Sequence, residues 1–229
     1  LSVKIWVATG AILPAVGAFG LATGMIYFPT SQDVLIWKAS SECCENSEEL
    51  SSALSILTGD VGPNFIHLAD LRSRNEADYG TIASFKAIVL YAYDVTLFSF
   101  FDFYHAGIPL FVPDLLLSPR YLWRGAVSFP RFTGLKVRVG WDVSWAHQQE
   151  ALQLPNTSEF SDLYDVRKTV FQLKPRLFWA QFVEPYHYPA VQQFVGIADL
   201  VEKLQNTDLN SVSVEMRKFS RTVLEKAGR

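Results

Sequence analysis

A chain of 229 residues that is 49% hydrophobic and 19% charged can bury one large core or two small ones, and it is too apolar for global disorder. The net charge of −3, with Lys and Arg scattered along the chain, does not advertise a nucleic-acid partner. The two cysteines, Cys43 and Cys44, are adjacent, which speaks against a zinc site; their Cα atoms, ~3.8 Å apart, lie below the usual disulfide window, so free thiols are expected.

The chain carries no charge from Ile5 to Phe28. That length fits a membrane span of ~20 residues, but Pro14 and the glycines at 10, 17, 20 and 24 interrupt it. Two readings stand. In one, "VKIWVAT" and "MIYFPT" are β-rich runs around a helix of small residues, all buried in an α/β layer. In the other, residues 5–28 associate with a membrane. No basic start or cleavage site marks a secretory signal. The sequon at Asn156 is compatible with a secretory (ER/Golgi) location without establishing one. We divide the chain into this apolar segment, 1–30, and an α/β domain, 31–229.

Within the domain, "DVLIWKAS" (33–40) predicts a strand and "SEELSSALSIL" (47–57) a helix that Ser47 can cap. "FIHLADL" (65–71) predicts a strand, and "IASFKAIVLYAY" (82–93) ends in a continuous apolar strand of the doubly buried kind. "DVTLFSFFDFYHAG" (94–107) is apolar on almost every face and predicts a buried helix. Gly107 is its left-handed stop, and Pro109 prevents continuation. "IPLFVPD" (108–114) is a short strand, which completes a βαβ unit. Residues 115–165 read as long loops with one strand, "LKVRV". Residues 162–173 are helix-like, and "EPYHYPAVQQF" is a Pro-rich turn. Residues 195–206 and 211–228 have the i, i+3/i+4 spacing of amphipathic helices. The fold class expected is therefore α/β: a Rossmann-like parallel sheet with flanking helices, closed by C-terminal amphipathic helices.

Two carboxylates, Asp94 and Asp102, sit in the most apolar part of this chain. Asp94 ends the strand before the helix, at the sheet edge where open α/β proteins bind ligands; it can equally cap the helix. Asp102 lies in the second half of the helix, where the dipole disfavours negative charge, among Phe100, Phe101, Phe103 and Tyr104. Burying it without partners costs several kcal/mol, roughly. It therefore either reaches solvent at the helix edge or meets a specific donor, the paired hydroxyls of a ribose or a Lys or Arg side chain. His105 reads as facing the ligand crevice or as a surface residue at the helix end. Arg120 and Arg124, spaced i, i+4 beyond the strand, can hold a diphosphate bidentately or be solvated loop residues. Glu184 and His187 read as parts of a structural turn. No G-x-S-x-G, P-loop or G-x-G-x-x-G is present, so nothing points to a hydrolase triad, a phosphate loop or a dinucleotide fingerprint.

The run "D-x7-D-FYHAGIPLFVP" resembles the C-terminal, nucleotide-sugar-binding half of GT-B-fold glycosyltransferases. That family carries an acid-x7-acid pattern, its second acid five residues before a Gly and seven before a Pro. Asp94, Asp102, Gly107 and Pro109 match this spacing, with Asp in place of the usual Glu and so one carbon less reach. The tail, residues 194–221, resembles eukaryotic, algal-type members, and the likeness spans roughly residues 82–225. It implies a UDP- or GDP-sugar donor as substrate, a glycan or protein acceptor, and no cofactor or metal. Asp102, Gly107 and His105 would line the nucleotide site, with Asp102 on the ribose. Asp94, Arg120 and Arg124 would serve catalysis, Asp94 toward the donor and the arginines on the leaving diphosphate. A GT-B enzyme normally has two such halves, so the likeness also implies a partner domain that is missing or reduced. The alternative is a non-catalytic structural or interaction subunit that keeps the fold.

Overall fold

The computed structural model describes residues 24–37, 54, 56–59, 62–91, 97–118 and 183–227. In chain order these form β1 (Val34–Trp37), β2 (Phe65–His67), α1 (Leu68–Ser73), α2 (Tyr79–Ala83), β3 (Ala87–Leu90), α3 (Phe98–Ala106), β4 (Leu110–Pro113), a 3-10 turn (Glu184–His187), β5 (Gln192–Phe194), α4 (Ile197–Asn206) and α5 (Leu209–Ala227).

All five strands are parallel, in the order β2-β1-β3-β4-β5. From β1 the chain passes to β2 on one side and then crosses to β3 on the other, so the sheet reverses direction between β1 and β3. In this doubly wound order the reversal opens a crevice at the carboxyl ends of the strands.

The continuous apolar runs foreseen in the sequence follow from burial on both faces. One face carries Leu35, Ile88, Leu90, Leu110 and Val112, packed with Phe100, Phe103 and Tyr104 of α3 and Val212 and Met216 of α5. The other carries Val34, Ile36, Ala87, Val89, Phe111 and Phe194, covered by Leu54 and by Leu200, Val201 and Leu204 of α4. Alternate residues of each strand thus serve opposite layers, and each strand reads as uniformly apolar.

Three boundaries differ from the sequence reading. The strand expected over 65–71 stops at His67, whose backbone N–H donates to Asp70 Oδ2 (3.3 Å) and starts α1. α2 is not foreseen in the sequence, and its last two residues, Ile82 and Ala83, open the run read as ending in a strand. Asp78 caps this helix, accepting from Thr81 N (3.0 Å) and Thr81 Oγ1 (2.7 Å), and these bonds hold the carboxyl below its usual range. The turn read over 184–194 contains β5, an edge strand with two glutamines that sends Phe194 into the core.

Residues 25–30, the expected β-rich run "MIYFPT", form no strand. They lace the amino edge of the sheet instead. Tyr27 N donates to Ala106 O (2.9 Å), Phe28 N to Ala83 O (3.1 Å) and Thr30 N to Ser84 O (3.0 Å). The Tyr27 hydroxyl donates to Lys86 O (2.7 Å), and burial pushes this phenol up to about 12. No helix among the described residues is long and apolar enough to cross a membrane, and residues 5–23 of the apolar segment lie outside those described.

α3 ends as the sequence indicated. Gly107 has φ 78°, with its N–H on Tyr104 O (3.0 Å) and Ile108 N on Phe103 O (3.0 Å), the paired bonds of a Schellman stop. A Cβ at Gly107 would lie 2.7 Å from Cγ of Arg217 and 2.9 Å from Oγ of Ser213, both on α5. Gly107→Ala is therefore expected to cost roughly 1–3 kcal/mol in urea unfolding, from left-handed strain and the shift forced on α5.

Candidate functional site

The site is built around α3, which joins the carboxyl end of β3 to the amino end of β4. Four large side chains of this helix, Phe100, Phe101, Phe103 and Tyr104, are at most 1% exposed. Phe103 meets the Trp37 ring edge-on at 4.6 Å, and Phe100, Phe101 and Tyr104 enclose Tyr188 at 5.2, 5.8 and 4.9 Å. The Tyr104 hydroxyl reaches Pro189 O at 2.8 Å. Such packing fixes the helix rigidly in both position and rotation.

Asp102 is held inside that packing, 8% exposed. Four residues into the helix, it stands about 6 Å along the axis from the end nearest the carboxyl edge of the sheet. The Tyr79 hydroxyl, from the first residue of α2, donates to Asp102 Oδ2 at 3.1 Å. Burial first, and then the Asp102 charge and this bond, raise the Tyr79 phenol above its ordinary value. Tyr79 itself is 40% exposed and lines an open hollow of about 380 Å³ with Met25, Ile26, Phe28 and Ser84. A half-exposed phenol thus connects the buried carboxylate to the surface.

The topology separates the other candidates. His105 and Gly107 close α3 at the end next to the start of β4, the edge opposite the carboxyl crevice. His105 is half-buried, with both ring nitrogens buried and without a hydrogen-bond partner, and burial lowers its pKa. Gly107 supports the stop and the contact with α5. Asp94, Arg120 and Arg124 lie outside the described residues. At the crevice end, Leu97 caps α3 without a side-chain bond, leaving its first N–H groups and the positive end of the dipole directed to that edge.

Two residues come from the structure rather than from the sequence. Tyr79 lies 23 positions before Asp102, and no local pattern links the two. Glu184, read as part of a plain turn, is 5% exposed. The Tyr186 hydroxyl on Pro113 O (2.7 Å) seats that turn at the carboxyl end of β4. Burial, and secondarily the Glu184 charge, push the Tyr188 phenol up to about 12. The signal available in the sequence was an acid flanked by Pro185 and two tyrosines, too common a pattern to single out.

No protein-family model matches the chain, and neither the curated proteins nor the solved structures contain a match. Among the described residues, no group of three or more His, Cys, Asp or Glu side chains is placed to hold a metal ion.

Two outcomes are expected. Tyr79→Phe deprives the buried carboxylate of one donor and should cost roughly 1 kcal/mol of stability in urea unfolding. His105 is less basic folded than unfolded, so the unfolded chain binds more protons in that range. Its contribution to stability is complete above the ordinary histidine pKa of about 6.5 and is lost as pH falls below it. The melting temperature should therefore drop between about pH 7 and pH 5. His105→Phe should flatten that part of the profile, and an unchanged slope would exclude His105 as the cause.

Proposed function

We propose that the chain is a glycosyltransferase-like α/β domain that binds a nucleotide-activated sugar at the carboxyl edge of its sheet. The observation that carries the reading is Asp102: a carboxylate kept 92% out of solvent on an otherwise aromatic helix, five residues before a left-handed Gly107 and seven before Pro109. A buried carboxylate at this position, already held by Tyr79, is a group that a ligand can use. The doubly wound strand order supports the reading, since it favours phosphate-bearing ligands at that edge, toward which the N-terminus of α3 points.

In this proposal Asp102 accepts hydrogen bonds from the ribose hydroxyls, joining or replacing the Tyr79 phenol. Asp94, in the link between β3 and α3, orients the donor sugar. Arg120 and Arg124 stabilise the diphosphate as the bond between it and the sugar's anomeric carbon breaks and an acceptor hydroxyl oxygen bonds to that carbon, its proton passing to the departing diphosphate. The acceptor is a glycan or a protein side chain, and a second domain would supply the rest of its site.

One observation favours the second reading, a non-catalytic subunit with a glycosyltransferase-like fold. The Tyr79–Asp102 bond gives the carboxylate an internal use, and the hollow that Tyr79 lines opens beside residues 25–30 at the amino edge, away from the crevice. Calorimetry with UDP and GDP separates the two. The enzyme reading expects one nucleotide to bind and Asp102→Ala to weaken it about tenfold or more. No binding of either nucleotide sinks the enzyme reading, and unchanged affinity in the variant removes Asp102 from the site.

A further inference from the structure

The cations scattered in the sequence are not scattered on α5. Residues 209–229 hold five basic residues against two acidic ones, in a chain of net charge −3. α5 turns Val212, Met216 and Val223 inward, which leaves Arg217, Lys218 and Arg221 together on its exposed side. With Val214, Thr222 and Glu225 they line a hollow of about 620 Å³. Among the described residues no carboxylate lies within ion-pair distance of the three cations; the ion pair drawn there is Lys203–Asp199 on α4. Arg217 is also held in place. Its stem lies over the Gly107 turn, 2.7 Å from where a Cβ at Gly107 would sit, and its Nε donates to Ser213 O at 3.4 Å. That contact puts this end of the hollow beside the amino edge of the sheet, opposite the carboxyl crevice.

We propose that this hollow is a second anion site, taking a phosphate-bearing ligand between Arg217, Lys218 and Arg221. Arg217 and Arg221, one turn apart, offer two planar forks matched to phosphate oxygens, and Lys218 adds a point charge between them. The spare capacity is local: among the described residues lining the hollow, Glu225 is the one acid beside three cations. Gly107 has a part in it: its missing Cβ is the space that the Arg217 stem occupies. The phosphate comes either from a soluble diphosphate or from a lipid headgroup.

The test uses the full chain at low ionic strength. One arm titrates inorganic pyrophosphate calorimetrically. The other sediments the protein with phosphatidylcholine vesicles, with and without phosphatidic acid. Binding is expected in at least one arm: pyrophosphate alone marks a soluble ligand, and phosphatidic acid vesicles alone mark a lipid. Added salt should weaken it, Arg221→Gln should weaken it about tenfold, and Lys218→Gln should weaken it less. All three positions are exposed, so these variants should melt like the wild type. Arg72→Gln on α1 should leave the affinity unchanged. Absence of binding in both arms overturns the proposal. So does equal weakening by Arg221→Gln and Arg72→Gln.

Discussion

The structure depends on the burial of one strand–helix–strand unit, residues 87–113, on every side. β3 and β4 are inaccessible on both faces, and α3 between them is wrapped by the sheet, by Tyr188 and by α5. An element in that position has no solvent-facing side on which to leave a polar group cheaply. Polar groups within it then call for defined partners, and the buried ring nitrogens of His105 are the exception. Tyr104 finds Pro189 O, and Asp102 finds Tyr79. The same burial requires Gly107, because α5 packs where a side chain would stand. Core, stop and carboxylate are consequences of one constraint.

Much of the fold is legible in the sequence because that constraint writes itself into composition. β1, β3, α3, β4 and the two C-terminal helices were expected close to where they stand, since uniform apolarity marks doubly buried strands and i, i+3/i+4 spacing marks α4 and α5. Short elements escaped. α2 has five residues and owes its existence to one Asp78 cap. β5 has three residues, two of them glutamine, and is a strand because β4 offers it an edge. Tertiary pairing decides such segments, and local propensity carries little of it.

The candidate site was legible in part. That a carboxylate at 102 needs a partner follows from its neighbours. That one partner is the phenol of Tyr79 does not, because the contact spans 23 residues with no periodicity to reveal it. His105 shows the opposite limit: its place in the same motif allowed a crevice reading, but the direction of α3 carries it toward the other edge. The clustering of Arg217, Lys218 and Arg221 became meaningful once the inward face of α5 was known.

The central claim is that Asp102 is retained for a ligand's ribose rather than for the fold. A crystal structure of the chain with bound UDP or GDP tests it most directly. The account predicts both ribose hydroxyls within about 3 Å of the Asp102 carboxylate, with the phosphates toward the N-terminus of α3. A nucleotide seated away from the carboxyl edge of the sheet, with Asp102 bonded to Tyr79 and out of its reach, would contradict it.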